Sequence, residues 1–379
     1  MTDAVAADAV PADSVTGRAV IAGANRTVVK VGSSSLTTRG RLDPARLGNL
    51  VAALAARRAA GQQVVLVSSG AIAAGIAPLG LTARPRDLAT QQAAASVGQL
   101  LLAERYAASF AQYGLTVGQV LLTADDLHRR ANYRNAVRTM ERLLSLGVIP
   151  IVNENDTVAT QEIRFGDNDR LAALVAHLVQ ADALVLLSDI DGLYTSDPRK
   201  PGAHFVADVA TREDLSRIQV AGAGSTVGTG GMATKIEAAL IATEAAIPVL
   251  LAAAEQISPA LEGTAGTYFA PTGRRTASRL FWLRHATTPN GAMILDAGAV
   301  RAVLARRASL LPAGLLGFTG DFAAGDPVEL VGEDGTVIGR GLSGFDSDDM
   351  PSVLGRSTHD LPPELSRVAV HRDDLIVAS

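Results

Sequence analysis

The chain has 379 residues, 48% of them hydrophobic but only 4% aromatic, and a net charge of -4 at neutral pH. That length exceeds what one core usually serves, so two domains are expected, and the mild acidity offers no general attraction to nucleic acid or to an anionic membrane. The absence of cysteine excludes disulfides, thiolate nucleophiles, iron-sulfur clusters and cysteine-bound zinc together, and the six histidines never form a close metal-binding pair, so no protein metal ligand is assigned.

Residues 1–25 carry acids near the start and lack a basic segment followed by an apolar one, so they read as a disordered leader rather than a targeting signal. No apolar run is long enough to cross a bilayer, which makes a cytoplasmic protein the expectation. From Thr27 to about Ala254, strand-like and helix-like patterns alternate. "TVVKVGSS" is a buried strand broken at Gly32, and Asp43-Pro44 then supply an N-cap and a first-turn proline for a helix that stops at Gly61. "QQVVLVSSGA" is the next strand, followed by a long helix with Gly114 as its stop signal. "LTVGQVLLT", "GVIPIVNEND", "DALVLLSDIDG" and "AIPVLLAAA" are further apolar strands separated by helical segments. Continuous apolar strands joined by helices predict an α/β fold, a mostly parallel open sheet sandwiched by helices, over residues 26–273. After Gly273, shorter strands and glycine turns such as "EDGT" predict a linker over 274–289 and a small, mainly β domain over 290–379. That last segment holds 7 Arg and no Lys against 13 Asp and Glu, so the basic side chains sit with the larger part.

Polar groups gather where the strands end. Lys30 with Gly32 to Ser35, Ser68-Ser69-Gly70, Asn153 to Asp156, and Ser188 to Asp191 all follow apolar runs, and ligands of open α/β sheets bind along that carboxyl edge. Residues 221–246, "AGAGSTVGTGGMATKIEAALIATEAA", add a fifth element: five glycines running into a helix that carries Lys235. Backbone N-H groups approach an anion closely only where no Cβ obstructs them. The spacing fits neither the Walker A loop nor the G-x-G-x-x-G fingerprint.

Lysine occurs only three times, as Lys30, Lys200 and Lys235. Lys200 in "DPRKPG" reads as a solvated surface charge. The other two lie in glycine-rich phosphate-type loops, where a compact ammonium can neutralise a transferring phosphoryl group. "FGDNDRLAALVAHL" opens a helix with Asp167, Asn168 and Asp169. One of these caps the helix, and the others exceed what a cap requires. No Ser-His-Asp or Cys-His arrangement is present, and phosphorylation of a carboxylate needs none, because an acid of pKa about 4.3 is already ionised at pH 7.

Taken together, "VVKVGSSSLT", "VSSGAIAAG", "VGQVLLT", "IPIVNENDTVAT", "FGDNDRLAALVA", "LLSDIDGLYTSDPR" and "GTGGMATKIEAA" resemble the glutamate 5-kinases of the amino acid kinase family. "SLLPAGL", "GDPVEL", "GRGLSGFDSDD" and "VAVHRDDLI" are similar to the PUA domain of its bacterial members. The resemblance runs from about Thr27 to Val377. It implies ATP-dependent phosphorylation of the glutamate side chain, the opening step of proline biosynthesis, with Mg2+ bridging the phosphates. By position it implies Lys30 and Lys235 as the catalytic lysines and Asp169 as the aspartate that holds them. It implies Ser69, Asp156 and Asn168 as glutamate-binding, and Lys30, Gly32, Ser188, Asp189, Thr229, Gly230, Gly231, Met232, Ala233, Thr234 and Lys235 as ATP-binding. It further implies feedback inhibition by proline, a homodimer or homotetramer, and a possible hand-over of product to glutamyl phosphate reductase. Two alternatives stand beside it: a kinase of the same family acting on aspartate, acetylglutamate, carbamate or UMP, which the C-terminal module disfavours, and an RNA-binding protein, which the acidity of residues 290–379 disfavours.

Overall fold

The computed structural model describes residues 12–38, 41–123, 126–127, 130–158, 168–216, 231–273, 283, 289–306 and 308–377. The chain divides into two compact units. One comprises Met1–Asp126 and Ala131–Arg275, the other Leu127–Arg130 and Thr276–Ser379.

The first unit is built on an eight-stranded sheet. Its strands are β1 (Arg26–Val31), β2 (Gln63–Ser68), β3 (Val117–Leu122), β4 (Ile149–Glu154), β5 (Ala183–Ser188), β6 (Asp208–Val209), β7 (Val249–Ala253) and β8 (Thr267–Phe269), in the order β6-β8-β7-β5-β1-β2-β4-β3. The six strands from β7 to β3 run parallel, while β8 pairs antiparallel with β7 and parallel with β6. Strands β4 and β5 are buried along their whole length, as a sheet covered on both faces requires. The helices that matter for the site are α1 (Ala12–Gly23), α2 (Pro44–Ala59), α3 (Ala71–Ile76), α4 (Leu88–Ala111), α5 (Arg130–Ser145), α6 (Asn168–Leu178) and α7 (Met232–Glu244).

Side-chain alternation decides which face each strand residue serves. Val29 and Val31 of β1 join the core formed with Leu50 and Leu54 of α2 and Leu102, Tyr106 and Phe110 of α4. Val28 and Lys30 therefore point to the opposite face, where α6 and α7 pack together. An apolar strand thus delivers one lysine under two helix N-termini. Asp43 caps α2 through the N-H groups of Ala45 and Arg46, as its Asp-Pro start predicts.

Residues 12–25 depart from the disordered leader expected over residues 1–25, of which residues 1–11 lie outside the described residues. Within the described part, α1 is a helix whose Ile21 is fully buried in the core. Its Arg18 pairs with Asp208 at 3.0 Å and donates to the carbonyls of Ala207 and Gly266, while Arg57 of α2 donates to the carbonyls of Ile21 and Ala22. The middle and the C-terminal end of α1 are held by groups far away in sequence, which its own composition does not announce.

The second unit holds a five-stranded sheet of β9 (Gly291–Leu295), β10 (Leu315–Gly320), β11 (Pro327–Gly332), β12 (Val337–Leu342) and β13 (Leu375–Val377), in the order β10-β9-β11-β12-β13. Its core includes Met293, Leu295, Val328, Leu330, Phe345 and Met350. Neighbouring strands pair antiparallel except β9 with β11.

Candidate active site

Four adjacent parallel strands end at one rim. The register sets Val31 beside Ser68 of β2 and Leu187 of β5, and Ser188 beside Ala253 of β7. The segments carrying Lys30, Ser68-Ser69, Asn153-Glu154 and Ser188-Asp189 are thereby brought to the same edge of the sheet.

The charged part of the site lies under α6 and α7. Asp169 is fully buried in the first turn of α6, where the helix dipole favours a carboxylate. Lys30 Nζ lies 2.5 Å from Asp169 Oδ1 and Lys235 Nζ 3.0 Å from Asp169 Oδ2. Both lysines are themselves buried. One carboxylate therefore fixes two ammonium groups, each with three N-H donors to offer. Thr234 Oγ1 stands 3.4 Å from Asp169 Oδ2 and donates to the Gly231 carbonyl at 2.8 Å. Gly231 is the extended N-cap of α7 and supplies no side-chain cap, so the first N-H groups of that helix, those of Met232 and Ala233 among them, keep the character of an anion site. Gly32 follows Lys30, and a Cβ there would come no nearer to the Lys30 ammonium than 4.0 Å. The glycine leaves backbone open beside the lysine.

The neutral part begins one residue earlier on the same helix. Asn168 Nδ2 donates to Ser69 Oγ at 2.8 Å, to Asn153 Oδ1 at 2.9 Å and to the Ser68 carbonyl at 3.3 Å. Its Oδ1 is buried and, among the described residues, accepts no hydrogen bond. Ser69 is presented by a tight turn in which Gly70 has φ 106°, a conformation that strains any side-chain-bearing residue. Gly70 is also the N-cap of α3. The next two turns are locked by contact between helices: a Cβ on Gly98 of α4 would lie 1.8 Å from the Ala71 carbonyl oxygen, and one on Gly75 would lie 1.9 Å from that of Ala94. Below the turn, Ser68 Oγ and Tyr106 Oη are 2.9 Å apart, and burial pushes the Tyr106 phenol well above its ordinary pKa.

Of the remaining candidates, Asp156 lies just beyond β4, half-buried. Ser188 donates to Asp189 at 3.0 Å, the two forming a pair at the end of β5. Thr229 and Gly230, like Asp167 and most of the glycine stretch, lie outside the described residues. Two further participants carry no individual role in the sequence reading, although Asn153 opens the polar run Asn153 to Asp156 at the strand edge. Asn153 receives Asn168, and Gln99 of α4 accepts from Asn153 Nδ2 at 2.7 Å. A polar residue directly after the contact glycine Gly98 is the one sequence signal that could have drawn attention to Gln99. Among the described residues, no group of three or more His, Cys, Asp or Glu could hold a metal ion, and no helix is long and apolar enough to cross a membrane.

Residues 25–253 match the amino acid kinase family and residues 291–364 match the PUA domain. The glutamate 5-kinase of Streptomyces coelicolor is 61% identical over 367 residues, covering 95% of this chain and 98% of that protein. The glutamate 5-kinase of Salinispora arenicola is 60% identical over 364 residues, with coverage of 94% and 99%. That of Thermobifida fusca is 59% identical over 368 residues, covering 95% of each.

Proposed function

The chain belongs to the amino acid kinase family, on its glutamate 5-kinase branch, and we propose that it transfers the γ-phosphoryl group of ATP to the side-chain carboxylate of L-glutamate. An oxygen of that carboxylate forms the new bond to phosphorus, the bond to the bridging oxygen of ADP breaks, and the products are L-glutamyl 5-phosphate and ADP. The pairing of Lys30 and Lys235 on the buried Asp169 carries this reading, because it concentrates cationic donors where a phosphoryl group would pass.

The attacking carboxylate is ionised at neutral pH, so no general base is required. What the protein contributes is position and charge. Lys30 and Lys235 neutralise the equatorial oxygens as charge spreads over them, and Asp169 keeps both ammonium groups at fixed distance. The uncapped start of α7, from Gly231 to Thr234, receives phosphate oxygens together with the preceding Thr229 and Gly230, and Ser188-Asp189 with Gly32 complete the nucleotide side. Ser69, Asp156 and Asn168 hold glutamate. A Mg2+ ion arriving with ATP would be held through the nucleotide's phosphates and would offset their charge beside Lys30 and Lys235.

Proline, which shares with glutamate an α-carboxylate and a positively charged α-nitrogen, acts in this reading as a feedback inhibitor at the glutamate side. The enzyme works in the cytoplasm as a homodimer or homotetramer, and passes its labile acyl phosphate to glutamyl phosphate reductase. The PUA domain serves a structural or regulatory purpose, since its 7 basic against 13 acidic residues oppose a phosphate backbone.

Trapping the product with hydroxylamine tests the reading. With ATP and Mg2+, hydroxamate is expected from glutamate but not from aspartate or acetylglutamate, and proline should suppress it. Hydroxamate from another acid would overturn the substrate, and none from any acid would overturn the kinase assignment.

A further inference from the structure

Two backbone groups determine how the amides of the neutral half are turned. The Glu154 N-H, which can only donate, lies 2.9 Å from one terminal atom of Asn153, so that atom is Oδ1. The other end is therefore Nδ2, and it faces Gln99 Oε1 at 2.7 Å. Likewise the Ser68 carbonyl, which can only accept, lies 3.3 Å from the Asn168 amide and identifies its near end as Nδ2. That same Nδ2 reaches Asn153 Oδ1. Asn168 Oδ1 is left on the far side, buried and, among the described residues, without a hydrogen bond.

We propose that Gln99 and Asn153 are positioning residues that lock Asn168 with its carbonyl oxygen toward the substrate, so that the site selects an acid bearing a free ammonium group. This rests on the reading of the site as a glutamate site. The chain of amides runs Gln99 to Asn153 to Asn168 to Ser69, and each link reinforces the orientation that the Glu154 N-H and the Ser68 carbonyl define. Ser69 Oγ accepts from Asn168, which leaves its own O-H to donate to a carboxylate. An acceptor and a donor that the described residues leave without partners match the zwitterionic end of an amino acid. A buried acceptor with no partner costs free energy until a donor arrives, and a charge-assisted donor repays it best. Without the Gln99 acceptor, the buried Asn153 Nδ2 loses its partner, and turning to find another gives up its hold on Asn168.

The test compares glutamate with glutarate, the same diacid without the ammonium group, in kcat/KM of hydroxamate formation by the full-length enzyme. Gln99→Met keeps side-chain length and removes the acceptor; it is expected to lower the preference for glutamate over glutarate about tenfold, through glutamate KM, with ATP KM unchanged. Gln99→Glu keeps an acceptor and should restore the preference. If Gln99→Met does not fold, Gln99→Ser, whose side chain is too short to reach Asn153, should lose the preference that Gln99→Glu retains. An unchanged preference in Gln99→Met, or in Gln99→Ser, would overturn the inference while leaving the glutamate reading intact. Failure of the wild-type enzyme to phosphorylate glutamate would remove that reading and the inference with it.

Discussion

Asn168 and Asp169 are consecutive residues at the start of one helix, yet they build opposite kinds of site. Asp169 is ionic: it binds two buried lysines from β1 and α7 within 3.0 Å. Asn168 is neutral: it joins Ser69, Asn153 and, through Asn153, Gln99 by amide and hydroxyl hydrogen bonds. Successive residues of a helix point about 100° apart, so a single N-terminus feeds two subsites. The charged half can respond to charge that develops as a phosphoryl group moves, whereas the neutral half offers directed donors and acceptors to a ground-state ligand. Turnover should therefore be sensitive at one residue and affinity at its neighbour.

The largest effect is expected at the shared carboxylate. Asp169→Ala leaves two buried ammonium groups without the anion that fixes them, and should lower kcat by about three orders of magnitude or more, with a stability loss of about 3–5 kcal/mol in denaturant unfolding. Lys235→Ala should lower kcat by about two to three orders of magnitude and leave glutamate KM near its wild-type value, as steady-state kinetics would reveal. Asn168→Ala reverses that pattern: loss of one hydrogen bond to a charged group should raise glutamate KM about 10- to 100-fold with a much smaller change in kcat. Smallest is Tyr106→Phe, which removes the hydroxyl below the Ser69 turn. Here about 1 kcal/mol of stability should be lost, visible as a fall of a few degrees in Tm, with catalysis nearly unchanged because Ser68 is not itself a ligand.

The sequence made one half of this comparison far more legible than the other. Rare lysines beside glycines, and an aspartate opening an apolar helix, are local signals, and the structure joins Lys30, Asp169 and Lys235 directly. The alternation of continuous apolar strands with helices likewise announces the parallel sheet. Gln99 and Asn153 are 54 residues apart, and only the packing of α3 on α4 through Gly75 and Gly98 brings α4 close enough for its glutamine to matter. The helix over Ala12–Gly23 was illegible for a related reason, since Arg18 and Arg57 hold it through carbonyl groups rather than through any pattern of its own. Strands β6 and β8 are only two and three residues long, too short for periodicity to register.

Glutamate binding without turnover tests the division most directly. Calorimetric titration of glutamate into Lys235→Ala and Asn168→Ala, in the absence of ATP, should give wild-type affinity in the first and weakening of about tenfold or more in the second. Equal weakening in both would mean that the two halves are one site, and would contradict the separation of phosphoryl transfer from amino acid recognition.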